Sequence, residues 1–138
     1  ETGALFADAP RIGRYVADAA VAERIVAHLH AAEGPRFLYA ITMQAHGPWG
    51  GPHPTATWQA HMHDADAMLG AIVQAAPSLD RPLLVVAFGD HRPALPFARG
   101  GTDTDYVIWR SDRPGDGSPF DLDALRLHRA IRAAAGIA

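Results

Sequence analysis

Leu83-Leu84-Val85-Val86-Ala87-Phe88-Gly89-Asp90-His91-Arg92-Pro93 is the stretch on which the fold turns. Its apolar half, Leu83–Phe88, is unbroken and lies between Pro82 and Gly89. A run of that length without polar alternation suits a strand buried on both faces, as in a parallel sheet covered by helices. Arg92-Pro93 ends any continuation, because proline has no N–H to give a ladder. Asp90 and His91 therefore fall just past the carboxyl end of a strand, where open α/β sheets place their ligands.

Working outward, Phe37-Leu38-Tyr39-Ala40-Ile41-Thr42-Met43 is a second apolar run rich in strand formers, and Tyr106-Val107-Ile108-Trp109 is a third. Between them lie helical patterns. Val16 to Ala32 carries Val21, Ile25 and Leu29 at helical spacing, with Asp18 as the expected N-cap, and Gly34-Pro35 stops it. Thr57 is expected to cap a helix running to Ala76, with Trp58, Met62, Ala65, Leu69, Ile72 and Val73 on one stripe. After the loop at Gly115-Asp116-Gly117-Ser118-Pro119, Ser118 or Asp121 is expected to cap a last helix to Ala135, closed by Gly136. The order helix, strand, helix, strand, strand, helix predicts an α/β class with a mostly parallel sheet flanked by helices. Phe37–Met43 and Leu83–Phe88 are expected to be parallel neighbours, since a helix separates them in a βαβ unit. Residues 1–138 read as one α/β unit. Three strands are few for such a sheet: either the domain is small or part of the sheet lies on sequence not present here, in which case an unpaired hydrophobic edge, or a neighbouring molecule covering it, is expected.

The composition agrees with a globular chain. Of 138 residues, 49% are hydrophobic and 20% charged, which excludes a disordered or collagenous segment. No apolar run approaches the roughly 18 residues of a membrane helix. Cysteine is absent, which removes thiolate metal sites and cysteine nucleophiles. The formal charge is −3, with twelve Arg and no Lys, so a nucleic-acid partner is not expected. Eight histidines are many for this length.

Asp90 and His91 offer oxygen and nitrogen donors of the kind a divalent cation takes. The bland alternative is a carboxylate capping a turn beside an exposed loop histidine. His46 ends the first strand on the same expected rim, followed by Gly47-Pro48; packing against Trp49 is the competing reading. His61 and His63 stand two apart on a helix, as do His28 and His30, and face away from each other, so solvated surface is expected of them and of Asp64 and Asp66. Arg126, Arg129 and Arg132 form a row on the last helix, either a phosphate grip or a solvated face. No Gly-x-Gly-x-x-Gly, P-loop or Gly-x-Ser-x-Gly motif occurs.

Several of these segments together resemble a known family. Thr42-Met43-Gln44-Ala45-His46-Gly47-Pro48-Trp49 resembles a strand ending in Thr-Met-Gln-Asn-His-Gly-Pro and an aromatic. Phe88-Gly89-Asp90-His91-Arg92-Pro93 resembles Phe-Gly-Asp-His-x-Pro. Tyr15-Val16-Ala17-Asp18, the helix carrying Asp66, and Thr104-Asp105-Tyr106-Val107-Ile108-Trp109 resemble further segments of that family in the same order. The likeness covers roughly residues 13 to 112. It points to the sulfatase-like branch of the alkaline phosphatase superfamily, nearest the lipoteichoic acid synthase and phosphoglycerol transferase group.

That resemblance implies an alkaline-phosphatase-like fold, of which this chain is the carboxyl-terminal portion. It implies that Asp90 and His91 are two ligands of one divalent metal (manganese, magnesium, zinc or calcium) and that His46 contacts the substrate's phosphoryl group or glycerol head. The family's glutamate ligand and nucleophilic threonine match no segment here; Glu1 and Thr2 lack the surrounding motif. The implied activity is phosphoglycerol- or phosphoethanolamine-type transfer to cell-envelope or capsular glycans through a phospho-threonine intermediate. A phospholipid head-group donor, a glycan acceptor and the amino-terminal part of the same domain are the implied partners. The implied setting is the extracytoplasmic face of the bacterial cytoplasmic membrane, in the soluble domain of a membrane-anchored protein. Two alternatives stand beside it: hydrolysis of a sulfate or phosphate ester on the same fold, and a non-catalytic α/β binding module.

Overall fold

A computed structural model of the protein describes residues 2–113, 115 and 117–137; Glu1, and Asp116 of the glycine-rich loop, lie outside these described residues. The chain divides into two compact units, one built from Glu1–Ala75 with Pro93–Arg99 and the other from Ala76–Arg92 with Gly100–Ala138.

The first unit opens on a single helical turn, α1 (Thr2–Leu5), and a short antiparallel ribbon of β1 (Arg11–Ile12) and β2 (Tyr15–Val16). Gly13 sits at φ 61° in the turn between them, a left-handed conformation that favours glycine. Helices α2 (Asp18–Ala31) and α3 (Pro54–Ala75) then pack together. Ala20, Val21 and Ala22 of α2 and Met68 and Ile72 of α3 are buried, small residues on one helix against larger ones on the other. Leu95 and Ala98, at the short 3₁₀ turn Pro96–Ala98, are also buried, and Phe97 meets the Trp58 ring at 5.1 Å.

Both helix starts differ from expectation. Asp18 is the first helical residue of α2, not its cap; Ala17 holds the N-cap position and has no side chain that can bond the exposed N–H groups. Helix α3 begins at Pro54 rather than at Thr57, because proline's missing N–H costs nothing at a helix start. Thr57 instead continues the first turn, its hydroxyl 3.3 Å from the His53 carbonyl.

Phe37–Met43 forms no strand. It belongs to no ladder among the described residues, with Phe37, Tyr39 and Ile41 all more than two-thirds exposed. Strand-forming side chains do not suffice without a neighbour for the backbone N–H and C=O groups.

The second unit is built on β3 (Leu84–Phe88) and β4 (Tyr106–Arg110), which pair antiparallel from Leu84 opposite Arg110 to Phe88 opposite Tyr106. The expected parallel pairing of Phe37–Met43 with Leu83–Phe88 is not seen: Phe37–Met43 joins no ladder, and both ladders among the described residues are antiparallel. The partner of β3 is β4, and two strands joined without a crossover helix, here through Gly89–Asp105 with only a 3₁₀ turn, pair antiparallel. Leu83 extends the ladder, its N–H donating to Ser111 Oγ at 2.8 Å and its carbonyl accepting from Ser111 N at 2.9 Å.

Helix α4 (Ala124–Ala135) packs on this ribbon. Asp123, rather than Ser118 or Asp121, caps it by accepting from Arg126 N at 2.7 Å, and Gly136 at φ 70° closes it. Arg110 ties β4 to the helix by donating to the Ala134 carbonyl while its other nitrogens grip Asp112 at 2.8 and 2.7 Å. Strands and helices combine here as the α/β class predicts, in a partial alkaline-phosphatase-like fold. No helix among the described residues is long and apolar enough to cross a membrane.

Candidate functional site

Asp90 and His91 leave β3 together. The Gly89 N–H donates to Asp105 O at 3.1 Å, prolonging the ladder by one residue. Thr104 folds over the same glycine, its hydroxyl donating to Gly89 O at 2.6 Å. A Cβ on Gly89 would lie 3.1 Å from Thr104 Cβ, a contact that Thr104 would have to yield to by a few tenths of an ångström, so glycine serves close approach here rather than a positive φ.

One Asp90 oxygen accepts the His91 backbone N–H at 2.9 Å, and the other lies 3.8 Å from His91 Nε2. His91 Nδ1 is 3.0 Å from Arg92 O. A carbonyl only accepts, so Nδ1 carries the hydrogen and Nε2 of the neutral ring carries the lone pair. A carboxylate oxygen and an imidazole lone pair thus stand on one side of the turn, both exposed. A cation bonded at roughly 2.0–2.2 Å to each donor can span that separation. The donor chemistry fits a divalent cation, for which these two side chains offer one oxygen and one nitrogen donor. No group of three or more His, Asp or Glu able to hold a metal occurs among the described residues.

His46 belongs to the first unit. Residues 43–46 form a turn closed by His46 N donating to Met43 O at 3.0 Å. His46 Nδ1 lies 2.7 Å from Gly47 O and 3.3 Å from Tyr15 Oη. Tyr15 donates to that same carbonyl at 3.1 Å and meets the imidazole edge-on, with centroids 6.0 Å apart. Arg14 lies over the Tyr15 ring, 4.8 Å from its centroid, and donates to the phenol oxygen at 2.5 Å. The peptide bond from Gly47 to Pro48 is cis.

These side chains wall a cavity of about 460 Å³ that Trp49, Thr57 and His61 complete. No carboxylate lines it among the described residues. Its ionisable lining consists of Arg14, Tyr15, His46 and His61, in a chain whose formal charge is −3. Arg14 brings the one fixed charge among the described lining residues, and it is positive.

His61 corrects the solvated-surface expectation. It is half-buried, lines the cavity, and its Nδ1 is buried without a hydrogen-bond partner. The signal in the sequence is Thr57, four residues earlier and on the same helix face. His28, His30, His63, Asp66, Arg126, Arg129 and Arg132 are exposed, and none of them lines the cavity. Asp64 is more than plain surface: it receives a hydrogen bond from the buried Gln44, with Nε2 to Oδ2 at 2.5 Å. Gln44 Oε1 accepts the Asp18 N–H at 2.7 Å. Asp18 is wholly buried and both its carboxylate oxygens lack hydrogen-bond partners. Burial, followed by repulsion from Asp64, pushes its pKa above the ordinary range against a smaller opposing effect of His61. Gln44 stands in the Thr42–Trp49 segment that carries the family resemblance, but no separate role for it was expected.

Known proteins resemble the chain that builds this site. The sulfatase family model matches residues 2–119. Over 109 residues the chain is 35% identical to the capsular polysaccharide biosynthesis protein RkpI of Rhizobium meliloti (strain 1021), covering 71% of this chain and 20% of that protein. Over 101 residues it is 29% identical to a putative cyclic beta-1,2-glucan modification protein of the same organism, covering 60% of this chain and 16% of the relative. The chain thus spans about a fifth or less of the length of the curated relatives it matches. No solved structure matches it. With most of its length accounted for by one family model, the chain belongs to the sulfatase family.

Proposed function

We propose that this chain is part of a metal-dependent enzyme that transfers a phosphoryl-linked head group, of the phosphoglycerol or phosphoethanolamine kind, to a cell-envelope or capsular glycan. The observation that carries the reading is the His46 cavity, which has Arg14 in its wall and no lining carboxylate among the described residues, in an acidic chain. The names of the two Rhizobium relatives support a glycan as acceptor. The donor is a phospholipid head group, and the setting is the extracytoplasmic face of the cytoplasmic membrane.

In this reading Asp90 and His91 hold the divalent cation, while further ligands and the nucleophile come from family segments that match nothing in this chain. The metal, when bound, lowers the pKa of the attacking hydroxyl and withdraws charge from the phosphoryl oxygens. The chain's own residues bind and orient. Because Nδ1 is committed to Gly47 O, His46 turns Nε2 to the substrate, and in its protonated form that nitrogen donates to a phosphoryl oxygen as charge develops there. Arg14 adds positive charge at the cavity wall, and Tyr15 holds the imidazole from its edge.

The test is turnover by the full-length protein with manganese, using para-nitrophenyl phosphate, bis(para-nitrophenyl) phosphate and para-nitrophenyl sulfate, with glycerol as a model acceptor. Diester cleavage accelerated by an alcohol acceptor supports transfer. Preferential cleavage of the sulfate ester, which the family name favours, replaces transfer by ester hydrolysis. Metal binding and cleavage both absent from the folded protein would leave the binding module.

A further inference from the structure

We propose that Gln44 is a positioning residue for His46, bolting the histidine loop to two helices through one buried amide. The proposal rests on the reading of His46 as the residue that contacts substrate.

Helix α2 begins with a deficit. The first N–H groups of any helix lack partners within it, and Ala17 at the N-cap contributes none. Gln44 fills the deficit from a distant part of the chain: its Oε1 accepts the Asp18 N–H at 2.7 Å. Its Nε2 donates to Asp64 Oδ2 on α3. Both ends of the amide are thereby used, and Gln44 is only 2% exposed. Burial without those partners would leave polar groups stranded, so the two bonds hold the side chain in one place.

The consequence reaches His46 through the backbone. Gln44 and Ala45 are the central residues of the turn closed by His46 N and Met43 O. A turn so short transmits the position of Gln44 directly to the Cα of His46. Tyr15 then fixes the imidazole side, through its bond to Gly47 O and its edge contact with the ring. Gln44 sets where the histidine stands, and Tyr15 sets how its ring lies. Displacement of a substrate-contacting group by about 1 Å can cost on the order of 100-fold in rate, so a buried anchor two residues away is a strong lever.

The chemistry also dictates a rescue. Gln44→Leu removes both bonds. Gln44→Glu keeps the acceptor for Asp18 N–H but sets a carboxylate against Asp64. Combining Gln44→Glu with Asp64→Asn reverses the polarity of the second bond: the amide introduced on α3 donates to the carboxylate introduced in the loop, and the total charge is unchanged.

The experiment measures kcat and KM of the full-length protein on bis(para-nitrophenyl) phosphate with manganese. It also measures bound manganese and the His46 imidazole resonance by NMR. Gln44→Leu and Gln44→Glu are expected to lower kcat/KM by roughly tenfold or more, to shift the His46 resonance, and to leave bound manganese unchanged. The double variant is expected to recover both signals. A folded Gln44→Leu or Gln44→Met with full kcat/KM and an unmoved His46 resonance overturns the proposal. Failure of the double variant to recover either signal, when it folds, overturns it as well. Unchanged turnover in His46→Ala overturns the underlying reading of His46 instead, and the resonance in the Gln44 variants still decides whether the anchor holds.

Discussion

Tyr15 Oη lies 3.3 Å from His46 Nδ1 and donates to the carbonyl of Gly47 at 3.1 Å, so residues from two distant segments share one acceptor beside the imidazole. The relationship settles the tautomer of His46. With Gly47 O accepting from Nδ1 at 2.7 Å, the lone pair of the neutral ring lies on Nε2.

Removing that phenol hydroxyl tests the arrangement. Tyr15→Phe keeps the ring and its edge contact but deletes the bond to Gly47 O, a loss of about 1 kcal/mol of stability for a part-buried neutral bond. Urea unfolding reads the stability change. Turnover on bis(para-nitrophenyl) phosphate should fall, since the imidazole loses one of its restraints. Wild-type values for both would show that the hydroxyl does nothing.

Asp90→Ala and His91→Ala should each abolish metal binding and turnover in the full-length protein, because each removes one of only two donors on this turn. His46→Ala should spare bound manganese and lower the rate. Metal analysis of the three purified variants, beside their activities, separates the roles. Full activity of Asp90→Ala would refute the assignment of the metal to this turn.

Asp18 makes a prediction about pH. Its wholly buried carboxyl titrates above the ordinary value of 3.8 because burial and Asp64 disfavour the charge. Between the unfolded and the folded pKa the native state therefore binds more protons than the unfolded one, and stability declines as pH rises through that window. Above the folded pKa the penalty is complete and constant. Asp18→Asn removes the ionisation, so it should stabilise the protein at neutral pH and progressively less as pH falls toward 3.8. Thermal unfolding of both proteins across that range checks the sign.

Arg110 joins β4 to α4 through a fork that lysine cannot copy. Its two bonds to Asp112 and its bond to Ala134 O use three separate nitrogens. Arg110→Lys should loosen α4, read as faster amide hydrogen exchange along Ala124–Ala135. The Asp112 carboxyl, held below the ordinary range chiefly by hydrogen bonding to Arg110, should return toward it. Unchanged exchange would mean that the helix is held by its apolar face alone.

Much of this protein was legible in the order of its residues. Local rules placed the helices, Gly136 as the stop of α4, and the apolar run at Leu84–Phe88, since each depends on neighbours a few positions away. The His-Gly-Pro and Gly-Asp-His motifs pointed to the sulfatase family before any coordinate did. Other features depended on partners far along the chain. Phe37–Met43 has every side-chain property of a strand and forms none, because a strand exists only with a neighbour to accept its hydrogen bonds. Direction of pairing was likewise hidden, since β3 and β4 carry the same residues whichever way they run. Asp18 looks like a cap, yet the first N–H of its helix is capped by a glutamine 26 residues away. His61 reads as surface until the β1–β2 ribbon and the loop at residues 46–50 meet α3 and wall a cavity beside it. Sequence alone determined which residues prefer helix or strand and which side chains offer oxygen or nitrogen donors, because those are properties of side chains and their near neighbours. Tertiary structure decided which buried polar groups find partners, because a hydrogen bond between Gln44 and Asp64 exists only once two helices and a loop have met.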